Sequence, residues 1–73
     1  MSKLPVLKSR DIIKVLLKAG FIEHRQSGGH KIFKRNDLRV TVPMHSRELK
    51  KGTIYSIIEQ SGLSVEEFIR LLK

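Results

Sequence analysis

A chain of 73 residues, 40% of them hydrophobic and none of them cysteine, supports one domain (1–73) whose modest core is held by apolar packing alone. That composition excludes disulfide scaffolds, cysteine zinc sites and general disorder. The net charge of +8 is uneven: residues 25–51 carry eight Lys/Arg against two Asp/Glu, whereas residues 52–73 carry two against three, which predicts one face for a polyanion and another kept clear of it.

Helix one is expected over about residues 10–19. Ser9 is a suitable N-cap, Asp11 complements the helix dipole and Gly20 is the expected C′ residue. Ile12, Ile13, Val15, Leu16, Leu17 and Ala19 form its apolar arc, and Arg10, Lys14 and Lys18 recur every fourth residue on the opposite strip.

The period then changes. Phe21 to Arg25 and His30 to Arg35 read as strands joined by Gln26-Ser27-Gly28-Gly29, and Asn36-Asp37 marks a tight turn. Leu38-Arg39-Val40-Thr41-Val42 alternates, with Leu38, Val40 and Val42 inward, and Pro43 suits a strand end or edge. The three strands are expected to form an antiparallel meander with one half-buried face.

Met44 to Gly52 reads as a polar connection, and Thr53 as the cap of a second helix presenting Ile54, Ile57 and Ile58, ended by Gly62. Ser64 and Glu67 form a capping box before a last helix lined by Val65, Phe68, Ile69, Leu71 and Leu72. The order α-β-β-β-α, with the final helix in two pieces, predicts a two-layer α+β domain with helices on one face of a three-stranded antiparallel sheet.

No phosphate-binding P-loop, dinucleotide fingerprint or paired-carboxylate site is present. His24, His30 and His45 lack cysteine partners and helical metal-ligand spacing, so neither a metal site nor a cofactor is expected. The longest apolar runs are too short to span a bilayer and no helix offers an aromatic insertion face. Met1-Ser2-Lys3-Leu4-Pro5 lacks a signal-peptide core, so a cytoplasmic protein with no membrane partner is expected.

The informative stretch is Gln26-Ser27-Gly28-Gly29-His30-Lys31. Two glycines let backbone approach a ligand, and successive N–H groups there can hold an anion. An imidazole, a side chain that moves protons near neutral pH, follows directly among Arg25, Lys31, Lys34 and Arg35. RNA supplies its own nucleophile in the 2′-OH, so a cleaving protein needs only a proton-transfer group and cationic or N–H groups for the phosphate. The same residues also read as a glycine hairpin with an ordinary surface histidine.

Taken in order, Leu4-Pro5, Lys18-Ala19-Gly20-Phe21, Arg25-Gln26-Ser27-Gly28-Gly29-His30, Val40-Thr41-Val42-Pro43-Met44-His45, Lys51-Gly52-Thr53-Ile54 and Gly62-Leu63-Ser64 before Glu67-Phe68 resemble the HicA toxins. The resemblance runs from about Leu4 to Leu72. It implies a double-stranded-RNA-binding-like fold, metal-independent mRNA cleavage by a strand-two histidine, at the position of His30, and neutralisation by a HicB-type antitoxin. The family usually reads Gly-Ser-His where this chain has Gly28-Gly29-His30, which costs one hydroxyl near the phosphate. His45 also falls on a family-like position, with either a loop-orienting or an RNA-contacting role.

The expectation is therefore an endoribonuclease toxin that inhibits translation and growth, monomeric when free and bound to its antitoxin at rest. His30 is the catalytic candidate. Gly28, Gly29, Lys31, Lys34, Arg35, Lys14 and Lys18 are the RNA-binding candidates, with Arg10 on the same helix strip. The alternative is a non-catalytic RNA-binding module of double-stranded-RNA-binding type. A DNA-binding regulator is disfavoured, because no recognition helix is evident.

Overall fold

Hydrophobic period places each element. The computed structural model describes residues 4–45 and 47–73: α1 (Ser9–Lys18), β1 (Ile22–Ser27), β2 (His30–Arg35), β3 (Leu38–Pro43), α2 (Lys51–Ser61) and α3 (Val65–Leu71). The strands form one antiparallel sheet in the order β1-β2-β3, so the strand that begins with His30 is central. The arrangement is the α+β, α-β-β-β-α fold expected. No helix among the described residues is long and apolar enough to cross a membrane.

The core is built where helix and strand periods meet. Ile12, Val15 and Leu16 of α1, Ile54, Ile57 and Ile58 of α2 and Phe68 of α3 close over Phe33, Val40 and Val42 of the sheet. The arc on α1 is narrower than its sequence suggests: Leu17 is 54% exposed, because only positions spaced like 12, 15 and 16 face the sheet.

The sheet departs from the expected half-buried meander along β1 and at the start of β3. No β1 residue is buried. Its apolar anchor, Phe21, is buried but precedes the strand, at the end of the α1 turn where its N–H bonds the Leu16 carbonyl at 2.9 Å. A bulge at His24 then shifts the β1–β2 register, and Gln26 and Ser27 continue the strand instead of forming a loop. Leu38 is 38% exposed at the start of β3, beside Gly62, where only Val40 and Val42 reach the core.

Two helix starts also differ. Lys8, not Ser9, is the N-cap of α1, and the Asp11 carboxylate accepts its N–H at 2.8 Å. Ser9 is the first helical residue and is buried, its hydroxyl donating to the Pro43 carbonyl at 2.6 Å. Helix α2 begins at Lys51, two residues before Thr53, without a side-chain cap. The preceding connection is anchored by buried Leu49, whose N–H bonds the Leu7 carbonyl at 2.8 Å. At α3 the capping box is present as read, with Ser64 N–H to Glu67 at 3.0 Å and Glu67 N–H to Ser64 at 3.1 Å.

Candidate functional site

Strand alternation decides which side chains share a surface with His30. Phe33 points into the core, so positions 30, 32 and 34 of β2 pass to the opposite face of the sheet. The register carries their partners with them: Ser27 and Pro43 beside His30, Arg25 and Thr41 beside Ile32, Ile22 and Arg39 beside Lys34. That face thus combines Arg25, His30, Lys34 and Arg39 with no Asp or Glu among these paired positions.

The glycine turn sets His30 at the near end of this face. Gly28 takes a left-handed φ of 58°, which favours glycine, whereas Gly29 does not. The Gly29 carbonyl accepts the Met44 N–H at 2.6 Å, so the β2–β3 ladder continues past Pro43, which has no N–H to give.

Helix α2 supplies the other wall. Gln60 accepts the Thr41 N–H at 3.0 Å, capping the open edge of β3, and its amide donates to the Ser56 hydroxyl at 3.1 Å. This places the flank of α2 against the sheet edge. Exposed His30 opens into a recess with Thr41 and Pro43 from β3 and Gly52, Thr53, Ser56 and Gln60 from α2. Thr53, Ser56 and Gln60 are spaced as one helical stripe, a polar seam beside the buried Ile54, Ile57 and Ile58. That seam was visible as a pattern in the sequence, but nothing there attached it to His30.

The other sequence candidates divide. Lys34 shares the His30 face but lies at its far end, in a separate recess with Gly20, Ile22, His24 and Arg35. Lys31 points to the opposite face and pairs with Glu23 at 3.2 Å. Arg35 sits at the end of β2 over Gly20. Lys14 and Lys18 are exposed on α1, and the Lys18 ammonium donates to the Lys73 carbonyl. Arg10, at the start of the same strip, lies nearer the site, in a recess with His45. Arg25, one of the basic residues read near His30 in the sequence, is joined on this acid-free face by Arg39, which emerges only once the strand register is known.

Among the described residues no three His, Asp or Glu side chains are grouped as a metal site. What the arrangement offers is an accessible imidazole beside hydroxyl and backbone donors, continuous with a cationic sheet face. A model of the HicA toxins of bacterial toxin–antitoxin systems matches residues 9–63, from the first turn of α1 to just past α2. No curated protein matches the chain.

Proposed function

Because the chain belongs to the HicA toxin family, we propose that it is the toxin of a bacterial toxin–antitoxin pair and acts as an endoribonuclease on mRNA, with His30 as its proton-transfer group. The observation that supports this most is the placement of His30. It is exposed at the head of the central strand, directly after the glycine turn, in a recess walled by Thr41, Thr53 and Ser56.

The reaction requires little of the protein. A ribose 2′-oxygen attacks the adjacent phosphorus as its proton passes to a base. The bond from phosphorus to the 5′-oxygen breaks, and that oxygen takes up a proton. The products are a 2′,3′-cyclic phosphate and a 5′-hydroxyl. An imidazole can serve either proton transfer, typically contributing about 10²–10⁴-fold. The Gly28 and Gly29 N–H groups, with the hydroxyls of the α2 wall, would hold the phosphate as its charge grows. Arg25, Lys34 and Arg39 extend the cationic surface along the strand, and Lys31 and Arg35 flank it. Lys14 and Lys18, on the exposed strip of α1, contribute less to phosphate binding.

The partner that restrains this activity is an antitoxin of HicB type, in a cytoplasmic complex from which the toxin is freed as a monomer. An acidic surface laid over residues 25–51 would match the +6 there and cover His30. The direct test is labelled RNA incubated with the purified protein in EDTA. Short products are expected from the native protein. A shifted but intact band would replace the nuclease with a non-catalytic RNA-binding module.

A further inference from the structure

The recess at His30 does not end at Pro43 and Thr53. Both residues are shared with a second recess, lined also by His45, Arg47, Glu48 and Lys50. His45 is in turn shared with a third, lined by Lys8, Ser9, Arg10 and Met44. Through these shared residues the three recesses follow one another from His30 to Arg10 and outline a groove. Beyond His30 it carries four cationic side chains and a second imidazole against one carboxylate, Glu48.

The far part of the groove is held in place by buried contacts. The Ser9 hydroxyl donates to the Pro43 carbonyl at 2.6 Å, and its oxygen accepts the His45 N–H at 3.4 Å. Ser9 is only 3% exposed, so this tie is sheltered from water. Pro43 pairs directly with His30. His45 is two residues farther on, within about 7 Å of Pro43, so it stands at the next position along the groove from His30. The same serine opens α1, so Arg10 is fixed to this frame as well.

We propose that His45 and Arg10 form a second RNA subsite, which binds the phosphate adjoining the one at His30. The identity of the ligand rests on the ribonuclease reading; the subsite itself rests on the groove. His45 is here a binding residue for the neighbouring linkage and takes no part in the proton transfers at His30. The arrangement makes the substrate an RNA strand of at least three nucleotides, read from His30 along the Pro43–His45 segment toward α1.

The test uses 2′-O-methyl oligonucleotides, which cannot be cleaved, so that binding is read apart from catalysis. A dinucleotide offers one phosphate and a trinucleotide two. Affinities are measured by NMR titration over a range of salt concentrations for the native protein, Arg10→Ala and His45→Ala. Both side chains are exposed, and unchanged melting temperatures would establish that the variants fold. The native protein should bind the trinucleotide more tightly, with a log–log salt slope steeper by about 0.7, the value for one further phosphate contact in a single strand. In Arg10→Ala that increment should vanish while dinucleotide binding is kept, and His45→Ala should lose most of the affinity gain. The full increment kept in both variants, or no binding of either oligonucleotide, overturns the subsite. If the increment behaves as expected but native protein leaves RNA uncut, the subsite stands and the nuclease reading falls.

Discussion

Gly28 and Gly29 are adjacent but not equivalent. Gly28 has a φ of 58°, where a side chain strains the backbone, so Gly28→Ala should lower stability by about 1–2 kcal/mol. In a domain of this size that is a fall in melting temperature of about 4–8 °C per kcal/mol. Gly29 has no such φ, and a Cβ added there meets nothing within 4 Å. Gly29→Ser, which restores the residue usual in HicA toxins, should therefore leave the melting temperature within about 0.5 kcal/mol of native. If the new hydroxyl donates to the phosphate beside His30, kcat/KM on RNA should rise about two- to ten-fold, as one added hydrogen bond allows. A serine variant that unfolds, or that cuts RNA more slowly, would show that the open space is not usable. The glycine pair was legible in the sequence as a turn, with His30 opening the strand that follows. Which glycine needs its missing side chain was not, because the sign of φ depends on how the turn closes the ladder.

At the scale of elements, Ser9 and Ser64 look alike in sequence, each a serine ahead of an apolar helix. Only Ser64 caps. Ser9 is drawn into the helix because its hydroxyl is buried against the β3 end, satisfying groups 34 and 36 residues away that no local pattern could reveal. Ser9→Ala should leave the Pro43 carbonyl without this partner and cost about 1–3 kcal/mol, read as a lower melting temperature. Ser64→Ala should cost about 1 kcal/mol through the lost cap. The two also differ in their response to acid. Hydrogen bonds from the Ser64 backbone and side chain, assisted by Arg70, hold the Glu67 carboxyl below its ordinary value. A lowered folded value means that Glu67 adds stability above its unfolded value and loses it as pH falls through the folded one. Native protein should therefore lose melting temperature on that acid limb more steeply than Ser64→Ala. Equal acid slopes would show that the Ser64 backbone N–H holds the carboxylate without help from the hydroxyl. The strands were readable because alternation in β3 is clean, and Val40 and Val42 are buried as read. β1 was not, because its apolar anchor Phe21 lies outside it and the bulge at His24 leaves both its faces to water.

Over the whole molecule, the concentration of charge in residues 25–51 foretold a cationic surface but not its course. Folding sends Lys31 to the Glu23 side and leaves Arg25, Lys34 and Arg39 with His30, a division that depends on strand parity and so on register. Alanine at Arg25 or Arg39 should lower the salt slope of RNA binding by about 0.7 each. Lys18→Ala should change it least, since that ammonium is engaged with the Lys73 carbonyl. An equal loss at Lys18 would move the RNA path onto α1. The proposed cleavage turns on His30 driving attack by the RNA's own 2′-oxygen. Its most direct test is the chemistry of the ends made from a defined RNA in EDTA by native protein and by His30→Ala. Native protein should yield 2′,3′-cyclic phosphate and 5′-hydroxyl ends, while His30→Ala binds the RNA but cuts it at least about 100-fold more slowly. Products with 5′-phosphate and 3′-hydroxyl ends, or cleavage by His30→Ala at the native rate, would contradict it.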